Sequence, residues 1–161
     1  MFSELSRDNG FSYACEHYMD TVYRLAVHNA RSTADAEDVT QEVFEALLKH
    51  RQPFRDAEHL KAWLIRVTLN KCRSLHRLQK REAGELSPHL AAPPSPDSSV
   101  LDEVRALPEH YRSAIYLHYY EGYTAAEIGA MLRASPNTVL SWLSRGRKKL
   151  KERMIGGFDD E

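Results

Sequence analysis

The sequence contains no apolar run approaching the ~18–20 residues that a membrane-spanning helix needs. Its opening residues, Met-Phe-Ser-Glu-Leu-Ser-Arg-Asp, hold no apolar stretch of the kind a secretory signal requires. No direct membrane insertion is therefore expected. Cysteine is scarce: Cys15 and Cys72 stand alone, with no CxxC pair. That excludes a disulfide framework and fits a reducing, cytoplasmic location. Cys15 and His17 lie close in sequence, but no second pair of ligands is near, so no metal is expected. A glycine-rich phosphate loop, a nucleophile elbow and a set of convergent carboxylates are also missing. Nothing points to an enzyme or to a cofactor. Alternating strand patterns and internal repeats are absent too, which leaves an all-α reading. An overall basic excess is lacking as well: the formal net charge is -1 and the pI near 6.7. A pI above ~9 is the usual whole-domain footprint of a nucleic-acid binder.

The distribution of charge says more than its sum. From Leu60 to Arg81 the chain carries Lys61, Arg66, Lys71, Arg73, Arg77, Lys80 and Arg81 without one acid. From Arg133 to Arg153 it carries Arg145, Arg147, Lys148, Lys149 and Lys151, opposed only by Glu152. Acids gather elsewhere, notably at Asp35, Glu37 and Asp38. Two basic islands and an acidic one suggest two kinds of partner.

A boundary lies in the stretch from Ala83 to Ser99, which holds Pro88, Pro93, Pro94 and Pro96 among small residues. Such a stretch sustains neither a regular helix nor a central strand and reads as a semi-rigid linker. The expected division is a first domain over 1–83, a linker over 84–100 and a second domain over 101–161, both domains small and helical. In the first, a helix is expected from Phe11 to Ala30, and Ser32 offers a cap for a second whose apolar stripe is Val39, Val43 and Leu47, with Phe44 and Leu48 beside it. Asp56 can cap a third, long helix with Leu60, Trp63, Leu64, Val67 and Leu75 on its apolar side. In the second domain, Ser99 and Asp102 make a weak capping box, and Pro108 suits the first turn of a helix running toward Tyr120, where Glu121-Gly122 breaks it. The four tyrosines Tyr111, Tyr116, Tyr119 and Tyr120 on this helix read mostly as half-buried packing.

The pattern with most chemical content follows. Thr124 to Glu127 is a full capping box, leading into Ile128, Met131 and Leu132, and Ser135-Pro136 opens the next helix. Two helices joined by a tight turn, the second well capped and basic, form a helix-turn-helix. Gly129 leaves room for the helices to approach. With Val139 and Leu143 turned inward, Asn137, Thr138, Ser141, Ser144 and Arg145 face outward at the start of the second helix. Short polar side chains there reach base edges in the major groove, and Arg147, Lys148, Lys149 and Lys151 lie further along, where phosphates would be. A basic helix end is also favourable to its own dipole, so the tail alone decides nothing. The capping box and the Ser-Pro start weigh the reading toward DNA.

These residues resemble a known family. Leu107 to Arg112, Glu121 to Gly129, Ser135 to Val139 and Ser144 to Leu150 look like region 4 of extracytoplasmic-function sigma factors of bacterial RNA polymerase. The run from Asp35 to Phe44 is similar to that family's region 2 helix, which binds core polymerase, and Ala62-Trp63-Leu64 with Asn70 and the basic run to Arg81 is similar to its −10 helix. Both sets, in this order around a proline-rich linker, cover nearly the whole chain.

The resemblance implies a non-catalytic specificity subunit. Its partners would be RNA polymerase core, promoter DNA and an anti-sigma factor. Core would be held by Asp38, Gln41 and Glu42. The −10 element would be held and melted by Asn70, Lys71, Arg73, Ser74 and Arg77. The −35 element would be read and clamped by Arg133, Pro136, Asn137, Thr138, Ser141, Ser144, Arg145, Lys148 and Lys149. The residue types suit these roles. Asp38, Gln41 and Glu42 lie within one helical turn and share a face, whereas Asp35 and Glu37 also serve a helix N-terminus simply as acids. The alternative is a helix-turn-helix regulator acting without core polymerase, which would have no use for that acidic face.

The chain departs from the family in two places. Ser74 stands where an acid is usual, and Leu140 and Trp142 stand where Lys or Arg is frequent. Promoter sequence is therefore not transferable. Trp142 reads as core rather than as a DNA-stacking residue, and Cys72 as an ordinary cysteine despite Lys71 and Arg73 beside it.

Overall fold

The computed structural model describes residues 7–82 and 100–158. The chain divides into two compact units, 1–87 and 88–161. Every regular element among the described residues is helical. The linker stretch and its capping residue Ser99 lie outside the described residues, apart from Val100, which already belongs to a helix.

The first unit holds α1 (Arg7–His17), α2 (Met19–Asn29), α3 (Thr33–Lys49) and α4 (Ala57–Glu82). The helix expected over Phe11–Ala30 is two helices, broken at Tyr18, whose backbone leaves the helical region at φ -123 and ψ 3. Hydrogen bonds still bridge the break, from Tyr18 N to Ala14 O (2.8 Å) and from Val22 N to Tyr18 O (3.0 Å). The hydrophobic period therefore runs on, and the sequence carries no sign of the interruption. Its cause is tertiary. The Tyr18 hydroxyl donates to Ala57 O at the start of α4 (3.3 Å), and its ring meets Tyr13 edge-on. Partial burial, followed by Tyr13 and the Glu58 charge, pushes this phenol up to about 12, so it stays a neutral donor.

Ser32 caps α3 as expected, accepting from Asp35 N at 3.1 Å. Val39, Val43, Phe44 and Leu47 are buried, but Leu48 is 47% exposed, one step round the helix from the core. The start of α4 is tied twice. Asp56 Oδ1 accepts from His59 N (2.8 Å), and His59 Nδ1 accepts from Arg55 N (3.0 Å). Leu60 and Leu64 are buried, while Trp63, Val67 and Leu75 pack against the core at its margin. Ile65, Thr68, Leu69 and Cys72 are buried as well, a wider face than the sequence suggested. Cys72 is 2% exposed, because the helix turns it about 100° away from each of its basic neighbours.

The second unit holds α5 (Val100–Arg105), α6 (Glu109–Ile115), a π-helical turn (Tyr116–Tyr120), α7 (Ala125–Leu132) and α8 (Pro136–Phe158). Pro108 sits one place earlier than expected. It is the residue before α6, extended at φ -54 and ψ 152, and its carbonyl accepts the first helical bond, from Arg112 N (2.8 Å). The α-helix then ends at Ile115 and does not continue regularly to Tyr120. Glu121 N reaches back five residues to Tyr116 O (3.3 Å), and the Tyr116 and Tyr120 rings stack at 5.4 Å. Tyr116 is buried, whereas Tyr119 and Tyr120 are exposed. Gly122, at φ +82, completes the break in a conformation that suits glycine.

The core of this unit lies between α6, α7 and α8, around Ile115, Leu117, Ile128, Val139 and Leu143. α5 is held to the far part of α8 by Arg153 Nε, 2.8 Å from Glu103 Oε1, with the Glu103 side chain only 5% exposed.

Candidate nucleic-acid interface

The helix-turn-helix is built as its local chemistry requires. Thr124 Oγ1 accepts from Glu127 N (3.1 Å), and Glu127 Oε1 accepts from Thr124 N (2.9 Å), so two unpaired amides at the start of α7 are satisfied. α7 ends at Arg133, which takes the left-handed conformation at φ 58 and ψ 50, a position more often filled by glycine. Ala134 N then returns to Gly129 O (2.9 Å). Gly129 is needed for this turn, because a Cβ there would press on the carbonyl oxygen of Ala134. The close approach is made by the turn backbone, not by a side chain of the next helix. Ser135 caps α8, accepting from Thr138 N (3.1 Å).

On α8, Val139 and Leu143 are buried, and Gly146 joins them: a Cβ at Gly146 would lie 3.0 Å from Ile115 Cγ1 and 3.2 Å from Tyr111 Cβ. This glycine sits in the middle of the basic run and lets α8 lie close against α6. Trp142 is half-buried and stacks flat on His110, with ring centroids 4.6 Å apart, so it serves packing within this unit.

The opposite side of α8 is open. Pro136, Asn137, Thr138, Ser141, Ser144 and Arg145 are all exposed, as are Arg133, Lys148 and Lys149. Asn137, Ser141, Ser144 and Lys148 recur at steps of four, three and four and so form one line along the helix. Thr138 is partly committed, its hydroxyl 2.9 Å from that of Ser135. Arg147 is oriented by the Tyr119 hydroxyl, which accepts from its guanidinium at 3.1 Å. That contact spans 28 positions, and no local pattern announces it.

In the first unit, Asn70, Ser74 and Arg77 are exposed and Arg73 half-buried, on the side of α4 away from its packed face. Lys71 does not share that side. It turns toward α3, where its ammonium lies 3.9 Å from Glu42 Oε1. Asp38, Gln41 and Glu42 are exposed on one face of α3, and Gln41 Nε2 donates to Glu45 Oε2 (3.2 Å), one turn further on. Asp35 does more than favour its helix end: its Oδ2 accepts from Gln79 Nε2 (2.7 Å), fastening the start of α3 to the far part of α4. Among the described residues, no group of three His, Cys, Asp or Glu is placed to hold a metal ion, and no helix is long and apolar enough to cross a membrane.

Comparisons with known proteins agree with this arrangement. Residues 15–82 match the family described as Sigma-70 region 2, and residues 98–150 match Sigma-70, region 4. RNA polymerase sigma factor CarQ of Myxococcus xanthus is 30% identical over 141 residues, covering 81% of this chain and 80% of that protein. ECF RNA polymerase sigma factor SigE of Mycolicibacterium smegmatis is 32% identical over 149 residues, 84% of this chain. The chain spans 58% of the length of that protein, and 40% of the probable RNA polymerase sigma factor RfaY of Xanthomonas campestris. Among solved structures, the sigma factor RpoE in complex with the anti-sigma factor NepR from Bartonella quintana has a TM-score of 0.71 at 21% identity, covering 89% of this chain and 96% of that one. That likeness is one of fold. The two matched regions contain the acidic face of α3, the basic side of α4 and the helix-turn-helix in that order, and on these grounds the chain belongs to the sigma-70 family of RNA polymerase sigma factors, in its extracytoplasmic-function branch.

Proposed function

We propose that this chain is a dissociable specificity subunit that binds RNA polymerase core, recognises promoter DNA and opens it for transcription initiation. The first unit would hold core through Asp38, Gln41 and Glu42, and would hold the −10 element through Asn70, Arg73, Ser74 and Arg77. Lys71 would join that contact only after leaving Glu42. The second unit would read the −35 element with Asn137, Thr138, Ser141, Ser144 and Arg145, while Arg133, Pro136, Lys148 and Lys149 hold its flanks. Lys148 lies eleven residues beyond Asn137, about 16 Å along the helix axis. A major groove is about 12 Å wide, so Lys148 falls at the phosphates although it shares the reading line.

The observation that carries the proposal is the exposed acidic face of α3 beside the basic helix α4, in a chain whose other unit is a helix-turn-helix. The role is non-catalytic and its place the cytoplasm, where polymerase and promoter DNA are found. RpoE is described in complex with the anti-sigma factor NepR, and CnrH with the cytosolic domain of CnrY. A protein that covers these surfaces and withholds the chain from polymerase is part of the proposal.

The test is run-off transcription from a genomic promoter library with purified core polymerase. Defined transcripts should depend on adding the chain, and Glu42→Lys should abolish them. Sequence-specific DNA binding without any core-dependent transcript would favour a regulator that acts without polymerase.

A further inference from the structure

The first two turns of α8 carry, beyond the exposed ring of Pro136 at their start, one large apolar side chain that the core does not take. Val139 and Leu143 are buried and Trp142 is stacked on His110, whereas Leu140 is 52% exposed. It stands three residues after Asn137 and four before Ser144, at the edge of the exposed reading line. Side chains on a helix lean toward its N-terminus, so Leu140 covers the surface beside Asn137 and Pro136, the part of α8 that would go deepest into a groove. From Pro136 to Ser144 this helix bears no charged residue. Its first cation is Arg145, so the deep part of the surface offers an amide, hydroxyls, the Pro136 ring at the helix start and one isobutyl group.

The major groove presents one apolar feature to such a group, the C5-methyl of thymine. We propose that Leu140 is a specificity-determining residue that reads a thymine methyl in the DNA element contacted by α8. This rests on the −35 reading above and deepens it. A cytosine at the same position lacks the methyl and presents an amino donor that leucine leaves unpaired, so discrimination has an attractive part and a repulsive part.

The test replaces thymine by deoxyuridine, which removes the methyl and leaves every hydrogen-bonding group in place. The probe is the promoter duplex recovered most strongly from a library randomised over the −35 element, selected with the full chain assembled on core polymerase. Each thymine on either strand is replaced in turn, and competition binding is measured for the wild type and for Leu140→Ala. The exposed position and the high helix propensity of alanine keep α8 intact in the variant. The wild type should lose about fourfold in affinity at one or two thymines. Leu140→Ala should start weaker by a similar factor and be indifferent to uracil at those same positions. A wild type that prefers particular −35 sequences yet ignores every replacement, or a variant that keeps the full uracil sensitivity, overturns the role of Leu140 and leaves the −35 reading standing. A selection that yields no −35 preference at all overturns both.

Discussion

The Glu42 carboxylate lies 3.9 Å from the Lys71 ammonium, so the proposed core-binding face of α3 and the basic helix α4 meet at an ion pair. Both side chains are more than a third exposed, which limits the pair to at most about 1 kcal/mol of stability. Its interest is functional: a polymerase group that captures Glu42 releases Lys71. Glu42→Lys should abolish retention on core while costing under ~1 kcal/mol in urea unfolding. The swap Glu42→Lys/Lys71→Glu should recover the lost stability but not core retention. If the swap restores retention, the pair is only a staple between two helices, and Glu42 does not itself contact polymerase.

The exposed residues of α8 should divide into readers and clamps. Arg145→Ala should change which −35 sequences a promoter-library selection recovers. Lys149→Ala should weaken all sequences about equally and flatten the salt dependence of binding by roughly one phosphate contact. A reshaped sequence preference in Lys149→Ala would contradict this division.

Arg133 holds a left-handed conformation that costs a residue with a Cβ about 1 kcal/mol. Arg133→Gly should therefore raise the stability of the second unit by up to about 1 kcal/mol while weakening DNA binding. Trp142 is the tryptophan of this unit and Trp63 that of the other, so fluorescence-detected unfolding in a Trp63→Phe background reports the second unit alone. A loss of stability in Arg133→Gly would mean that the arginine side chain offsets its own strain.

Two glycines of the second unit should respond unequally to alanine. At Gly129 the new methyl would meet the Ala134 carbonyl, which is backbone of the turn itself and cannot yield alone. At Gly146 it would meet the Ile115 side chain at 3.0 Å and Tyr111 Cβ at 3.2 Å, contacts that a movement of a few tenths of an ångström between α8 and α6 relieves. Gly129→Ala should cost on the order of 2–3 kcal/mol and abolish −35 binding. Gly146→Ala should cost well under half of that, offset by the better helix propensity of alanine. The same fluorescence assay decides, and equal costs would refute the assignment of Gly129 to the turn.

The His59 imidazole accepts a backbone N–H at its Nδ1, which the protonated ring cannot do. Burial first, then Arg55, lower its pKa; Asp56 opposes them, and Arg66 and His50 add to the lowering. A lowered value for a base means that the unfolded chain takes up the proton first. Stability is therefore full above the ordinary value of 6.5, falls as pH drops through it, and levels off once the folded value is passed. His59→Asn should lose less stability than the wild type between pH 7.5 and pH 5.5, measured by thermal unfolding followed at Trp63. Identical losses in both proteins would assign the acid sensitivity to other histidines.

Features that rest on a few neighbouring residues were legible in the sequence. Ser32, Asp56, Thr124 with Glu127, and Ser135 all cap the helices that their types and spacing announce, because a cap is a contact over two or three residues. The outward set on α8 follows equally directly from the helical period once Val139 and Leu143 are turned inward. Other features depended on what lay across the fold. Tyr18 breaks the first helix to reach Ala57, 39 positions away. Lys71 leaves the basic side of α4 for Glu42, and Arg147 is oriented by Tyr119 through a π-helical turn that no residue type requires. Leu48 and Leu140 keep the helical spacing of their buried neighbours and yet are exposed, since period tells which residues share a face but not how wide a face the partner helix covers. The amino-acid sequence by itself determined where helices start, which side of each is apolar and where charge collects. The tertiary structure decided which charged and aromatic side chains meet, because those pairings depend on the distance and angle between helices that the chain brings together only when it folds.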